Sequence, residues 1–218
     1  MGSEIGDDLP LGATPLSDDE QEGLIPSIQT RGELNEVEAS NIDAATAWAL
    51  GRGRRTAQRE VVTVAGLLEL HRRMFDQTWK WAGRIRLSDK NIGVPKEQIR
   101  EQLRALSDDI QYQLEHQTYP PDELAVRFHH RLVSIHVFPN GNGRHARLAA
   151  DVLISRLGQT PFSWGGSTLV TASGSRTDYI RALREADGGN ISSLLRFARA
   201  QGSQAIDKTK PNTRMTKI

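Results

Sequence analysis

The stretch from residue 136 to residue 147, HVFPNGNGRHAR, combines the residue types of a phosphate site with those of a proton acceptor. Residues 141–143, Gly-Asn-Gly, form a turn whose N–H groups can approach an anion closely, and a helix that begins there adds the positive end of its dipole. Arg144 and Arg147 share one face of such a helix and can each bind phosphate oxygens through two N–H groups. His136, with an ordinary pKa near ~6.5, is largely neutral at pH 7 and suited to accept a proton. The stretch therefore predicts an enzyme that uses a nucleotide.

Apolar residues spaced by three and four predict the helices that position this stretch. These helices cover residues 33–50, 64–78, 96–116, 124–135, the segment from the glycine turn to about 157, 176–186 and 191–200. Thr30 and Glu33 make a capping-box pattern before the first helix. Residues 79–95 lose the helical period and are interpreted as a loop or a short hairpin. The predicted fold class is mostly α, a helical bundle.

Composition narrows the class of protein. The chain has 218 residues, a net charge of +1 and no cysteine, which excludes disulfides, thiolate metal sites and a strong global attraction to nucleic acid. The start of the chain has no basic region followed by an apolar one, and no apolar stretch is long enough to cross a bilayer, so we expect a soluble cytoplasmic protein. We expect four parts: a disordered or loosely docked arm (1–23), an N-terminal helical region (24–59), the main domain (60–203) and a flexible tail (204–218).

Two alternative sites are weighed and not favoured. The basic run GRGRR at 51–55 and the basic tail are short, and such runs usually face solvent, so we expect no nucleic-acid partner and no membrane partner. His129, His130 and His145 lack carboxylate partners at metal-binding spacing, so we expect no zinc site.

The stretch resembles the signature of the Fic (Fido) domain family, HxFx(D/E)GNGRxxR. The matching positions are His136, Phe138, Gly141, Asn142, Gly143, Arg144 and Arg147. Residues 67–86 and 176–197 resemble the flanking helices of the family, so the resemblance covers about residues 60–200. The organisation also resembles a bacterial group within the family called mobile mystery protein B. A match at this many spaced positions is specific.

The resemblance implies transfer of AMP from ATP to a hydroxyl side chain of a target protein. His136 would act as the base, and Arg144 and Arg147 would neutralise the β and γ phosphates. The backbone of residues 141–143 and the Asn142 amide would hold the phosphates, while Phe138 would fix the loop as a core residue. The resemblance further implies a helical bundle with a short β-hairpin flap.

One position departs from the family pattern. The acidic residue that would hold Mg²⁺ is Asn140 here, and an amide oxygen lacks the charge of a carboxylate, so metal affinity should fall. Three hypotheses follow: a magnesium-assisted transferase, a catalytically weakened module that binds a nucleotide or a partner, and an enzyme that uses another nucleotide donor.

In the family, a flap near residues 86–95 holds the target segment by strand addition. Here Lys90, Ile92 and Val94 alternate with Asn91 and Gly93 as in a strand, and the alternative is an ordinary surface loop.

Many members carry an inhibitory helix with the motif (S/T)xxxE(G/N), whose glutamate pairs with the second arginine. The nearest candidates, Glu36 and Glu38, lack a strict match, and we favour a solvent-exposed helix face for both. The alternatives are inhibition by one of these glutamates and an inhibitor helix from a partner protein, as in a toxin–antitoxin pair.

Three aromatic residues and one aliphatic residue have two interpretations each. Trp79 and Trp81 are expected to be core residues rather than ligand contacts. Tyr179 and Ile180 would either line an adenine pocket or serve helix packing.

Overall fold

The computed structural model describes residues 15–25, 27–51, 60–166 and 173–200. Within them the α-helices are α1 (Asp18–Gln21), α2 (Arg31–Leu50), α3 (Val64–Phe75), α4 (Ile99–Glu115), α5 (Pro121–Ile135), α6 (Asn142–Arg156), α7 (Ser173–Asp187) and α8 (Ser192–Arg199). Short 3₁₀ turns lie at Lys96–Gln98 and Trp164–Gly166. The mostly α class and the seven longer helices are confirmed, with ends that differ by a few residues. Most of the basic run at 51–55 and the whole tail from 201 lie outside the described residues.

The hairpin predicted for the flap, residues 86–95, is absent from the described structure, which contains no strand there. The reason is a side chain: the Arg86 guanidinium donates to the backbone carbonyls of Ser88 and Val94. These side-chain bonds fold the segment into an irregular loop, whereas a hairpin would use backbone N–H groups to reach the same carbonyls.

Helix α6 lies at the centre of the molecule. It packs most extensively on α5 and also contacts α2 and α3. Its buried side chains are largely small or aliphatic, which allows neighbouring helices to approach closely: Ala146, Leu148, Ala149, Ala150, Val152, Leu153 and Ile154. Because α6 is held on several sides, its first turn has a fixed position and direction.

The loop from residue 136 to residue 141 joins α5 to α6 and holds the sequence stretch identified above. His136 ends α5 in the left-handed region (φ 56°, ψ 63°), and Gly141 opens α6 in the same region (φ 77°). A Cβ atom on Gly141 would lie 2.6 Å from the Phe75 ring, so only glycine fits against α3. These two residues reverse the chain and set the start of α6 beside the end of α5.

The ends of several helices follow the expected chemistry. Thr30 Oγ1 accepts a hydrogen bond from Glu33 N, and Glu33 Oε2 accepts one from Thr30 N, which confirms the capping box of α2. Pro121 opens α5, where its missing N–H has no cost. None of the described helices is long and apolar enough to cross a membrane.

Residues 15–25, which include part of the predicted arm, pack on the segment that leads into the flap. Lys80 N donates to Gly23 O, Ile25 N donates to Thr78 O, and the Trp81 indole donates to Glu20 O. Residues 1–14 lie outside the described part of the chain.

Candidate functional site

His136 is almost fully buried, at 6 % exposure, at the junction of α5 and the loop. Burial lowers the pKa of its imidazole to about 4, and the positive charges of Arg86 and Lys90 act in the same direction. The side chain is therefore neutral at pH 7, the form in which it can accept a proton.

Arg86 holds the backbone of His136. Its side chain is 2 % exposed and donates from Nε to the His136 carbonyl at 2.7 Å. The same guanidinium binds Ser88 O and Val94 O in the flap. Arg86 N also donates to Val137 O, and Val94 N donates to Ile135 O. The buried Arg86 guanidinium therefore contacts both ends of the flap and the backbone of His136, the residue that the sequence predicts to be the base.

Gly93 brings the flap into direct contact with His136. Its φ is 99°, and a Cβ atom built on it would lie 2.4 Å from the His136 Cβ and 3.1 Å from the Ile135 carbonyl. The absence of a side chain is what allows this approach. Of the other flap residues predicted to meet a target, Asn91 and Ile92 are exposed, and Lys90 pairs with Glu20 of the N-terminal segment.

The Asn142 side chain holds the loop. Its Nδ2 donates to Phe138 O at 2.8 Å, and its Oδ1 accepts from Phe138 N at 2.9 Å. The amide predicted to contact phosphate is therefore committed to the backbone of Phe138. Contacts with an anion fall to the N–H groups of residues 141–143, of which Gly141 N already donates to the Asn140 side chain. Phe138 itself is fully buried, in agreement with its predicted place in the core.

Arg147 lies in a polar pocket formed with α7. Its guanidinium carbon is 5.4 Å from the centre of the Tyr179 ring, and the Tyr179 hydroxyl is 3.0 Å from His129 Nε2. Tyr179 is buried. Its contacts favour the packing interpretation: Tyr179 supports the second arginine, and its partly buried neighbour Ile180 packs against the core.

Arg144 is paired with Glu38, across 106 positions of sequence. Arg144 Nη1 lies 2.6 Å from Glu38 Oε2, and Glu38 Oε1 accepts from the Trp79 indole at 2.8 Å. The expected solvent-exposed face is wrong for Glu38, which is 5 % exposed, because α2 turns it between α6 and Trp79. The expectation holds for Glu36, which is exposed. The partner also differs from the expected one: the glutamate binds the first arginine and not the second.

Asn140 offers a poor site for a metal ion. Its Oδ1 already accepts from Gly141 N at 2.5 Å, and its backbone carbonyl is 3.1 Å from His71 Nε2. Among the described residues no cluster of three histidine, aspartate or glutamate side chains could hold a metal ion. Protein sites for Mg²⁺ normally supply at least one carboxylate, so the residues present do not fit a magnesium ion held by the protein.

Several residues that shape the site carry no signal in the sequence. Arg86 is one arginine among many, and His71 and Trp79 have the spacing of ordinary core residues. Trp79 is buried and stacks on Trp81 at 4.9 Å between ring centres, as expected of core residues, but its indole also orients Glu38. His71 is the exception, because it is a polar residue on the otherwise apolar buried face of α3 and could have drawn attention.

Comparison with known proteins agrees with this geometry. Residues 61–154 match the family described as Fic/DOC. The chain is 30 % identical over 154 residues to "Protein adenylyltransferase Fic" of Nematostella vectensis, which covers 68 % of the chain and 34 % of that protein. It is 29 % identical over 208 residues to "Protein adenylyltransferase fic-1" of Caenorhabditis elegans, or 93 % of the chain and 38 % of that protein. The chain thus spans little more than a third of these relatives.

Solved structures show the same fold. Fic-1 of C. elegans aligns with a TM-score of 0.55 at 25 % identity, over 82 % of this chain and 51 % of that one. BepC of Bartonella tribocorum, solved with bound AMPPNP, aligns with a TM-score of 0.62 at 18 % identity, over 84 % of this chain and 97 % of that one. The motif from residue 136 to residue 147, its place between α5 and α6, and these matches together make the chain a member of the Fic/DOC family.

Proposed function

We propose that the protein transfers AMP from ATP to a hydroxyl side chain of a target protein. The observation that carries this proposal is the junction of α5 and α6, where a neutral His136 precedes the Gly-Asn-Gly turn and two arginines. The names of the relatives, protein adenylyltransferases, support the same reaction. The proposed compartment is the cytoplasm.

The proposed reaction uses the residues as follows. The target hydroxyl oxygen attacks the α-phosphorus of ATP, a new P–O bond forms, and the bond to the β-phosphate oxygen breaks, so pyrophosphate leaves. His136 takes the hydroxyl proton. The N–H groups of residues 141–143 and the two guanidiniums, Arg144 and Arg147, stabilise the charge on the phosphates. Because Asn140 does not build a magnesium site, no step is assigned to a metal held by the protein.

The flap is the proposed docking site for the target segment. It borders His136 through Gly93, and it exposes apolar side chains, Leu87 at 84 % and Ile92 at 43 %. Exposed apolar side chains next to a reactive group favour contact with another protein chain. Because the segment is an irregular loop, docking by strand addition would require it to straighten.

Glu38 is the proposed inhibitory residue. It occupies Arg144 through a short ion pair, and a triphosphate needs that guanidinium. Binding of ATP would have to break the pair, so Glu38 competes with the nucleotide. The chain supplies this glutamate itself, and the proposal therefore needs no inhibitor helix from an antitoxin.

A direct experiment tests the transfer. Purified protein and its Glu38→Gln variant are incubated with lysate and ATP labelled at the α-phosphate, and a parallel reaction uses label at the γ-phosphate. Protein-bound label from the α position alone, absent in the His136→Ala variant, is the expected result. Mass spectrometry of the labelled proteins then identifies the added nucleotide and the modified residue. Equal labelling by the unaltered protein and the His136→Ala variant would contradict the proposal. So would the absence of labelling by both the unaltered protein and the Glu38→Gln variant.

A second candidate function is a module that binds a nucleotide or a partner without transfer. The amide at Asn140 and the occupied Arg144 favour it. Nucleotide binding without transfer in the Glu38→Gln variant would support this function. A panel of other nucleotide donors separates it from an enzyme that uses a donor other than ATP.

A further inference from the structure

His71 is a fully buried polar residue that connects two parts of the site. It lies on α3, and its ring stacks on Phe138 with 3.6 Å between ring centres. Its Nδ1 accepts a hydrogen bond from Gly83 N at 3.0 Å, and its Nε2 is 3.1 Å from the Asn140 carbonyl. Gly83 lies just before the flap, and Asn140 lies just before the glycine turn.

The two contacts define the tautomer of the ring. A backbone N–H can only donate, so Nδ1 must be the unprotonated nitrogen. A carbonyl oxygen can only accept, so Nε2 must carry the proton. The Nε2–H tautomer satisfies both contacts at once, and the opposite tautomer satisfies neither.

The contact with Asn140 fixes the orientation of a peptide plane. In a trans peptide the carbonyl and the following N–H point in opposite directions. When Nε2–H holds the Asn140 carbonyl, the Gly141 N–H must point away from α3 and into the turn. In this orientation the Gly141 N–H donates to the Asn140 side-chain Oδ1 at 2.5 Å, a contact that an anion in the turn would have to replace. His71 on one side and the Asn140 amide on the other therefore hold the same peptide plane.

We propose that His71 is a positioning residue, which uses its Nε2–H to set the Asn140–Gly141 peptide for an anion and its Nδ1 to hold the root of the flap to the same ring. The reference to a phosphate anion rests on the proposed function. The orientation of the peptide and the link to Gly83 do not depend on it.

Three variants separate the two contacts. The Asn side chain ends near the position of Nδ1, so His71→Asn keeps an acceptor for Gly83 and loses the donor for Asn140. The Gln side chain reaches the position of Nε2, so His71→Gln keeps the donor and loses the acceptor. His71→Phe keeps the ring and loses both. The control is His145→Gln, which changes a buried histidine 5.5 Å from His71 that binds the Leu67 carbonyl instead.

Amide hydrogen exchange of Gly83 and Gly141 is the main readout. We expect His71→Asn to accelerate exchange at Gly141 only, because the released Asn140–Gly141 peptide can rotate its N–H away from Asn140 Oδ1. His71→Gln should accelerate exchange at Gly83 only, and His71→Phe at both, each by about fivefold for a contact of about 1 kcal/mol. The control should change neither amide. A residue that only fills space would accelerate both amides alike in all three variants, and that result would overturn the proposal.

Two further measurements complete the test. The imidazole ¹⁵N chemical shifts of the unaltered protein should show a protonated Nε2 on His71, and a protonated Nδ1 would overturn the proposal without any variant. Titration with AMP-PNP should show affinity reduced about fivefold in His71→Asn and His71→Phe and retained in His71→Gln. If the unaltered protein does not bind AMP-PNP, the proposed function fails, while the exchange pattern still decides the role of His71.

Discussion

Replacing Glu38 by Gln should strengthen nucleotide binding. The substitution keeps the shape of the side chain and an acceptor for the Trp79 indole, but it removes the negative charge that holds Arg144. The free guanidinium can then bind phosphate oxygens with a smaller loss of existing contacts.

The magnitude follows from the geometry of the pair. Its side chains are 7 % and 24 % exposed, so water screens the contact less than it screens a surface ion pair. A hydrogen bond to a charged group contributes about 1.5–3 kcal/mol, and one to a neutral amide about 0.5–1.5 kcal/mol. The difference of about 1–1.5 kcal/mol corresponds to roughly five- to tenfold tighter binding.

Isothermal titration with AMP-PNP measures this change. The matched control is Glu36→Gln, which removes the same charge two positions earlier on α2, where the side chain is exposed. The control should bind like the unaltered protein. The Glu38 variant should also unfold at a lower temperature in the absence of nucleotide, because Arg144 loses a charged partner.

Two results would refute this reasoning. Unchanged affinity in Glu38→Gln would mean that the ion pair does not compete with the nucleotide. Equal gains in both variants would mean that any negative charge on α2 weakens binding at a distance, without the specific contact.

The remaining predictions concern the flap, the departure from the family motif and the response to acid. Gly93→Ala should lower the free energy of unfolding by about 2 kcal/mol or more in denaturant titrations, because a Cβ there clashes with His136 at a positive φ; an unchanged midpoint would show that the flap does not lie on the histidine. Asn140→Asp should make transfer more dependent on Mg²⁺, measured as labelled product with and without EDTA, and an identical response in both forms would favour the module that binds without transfer. Burial lowers the pKa of four histidines below the ordinary 6.5: to about 3 for His129, to about 4 for His136 and His145, and well below 6.5 for His71. Their contribution to stability is present above pH 6.5 and is lost as the pH falls toward 4. Burial raises the pKa of Asp151 to about 6, so the folded state takes up a proton there as the pH falls from 7 to 5. This uptake raises the free energy of unfolding and offsets part of the loss from the histidines. His129, His136 and His145, less the opposing effect of Asp151, give a net loss of unfolding free energy of about 4 kcal/mol over that interval, and His71 adds to this loss. Stability that is level or higher at pH 5 would contradict the prediction.

The sequence alone determined the helices and the place of the reactive stretch. Apolar spacing of three and four sets the buried face of each helix, and the pattern from residue 136 to residue 147 requires a glycine turn that opens a helix. Both signals are local, because they depend on residues within one or two turns of each other. For the same reason the capping box at Thr30 could be predicted.

Only the tertiary structure decided which polar groups meet at this stretch. Glu38 reaches Arg144 across 106 positions, His71 reaches Asn140 across 69, and Arg86 reaches His136 across 50. Helical periodicity does not tell a glutamate that faces water from one that is turned toward a distant arginine. The flap shows the same limit: its alternating residues fit a strand, but a buried arginine donates to the carbonyls of the loop and prevents the backbone pairing that a hairpin needs. Long-range polar pairing depends on how the helices pack against each other, and that arrangement is a property of the whole fold.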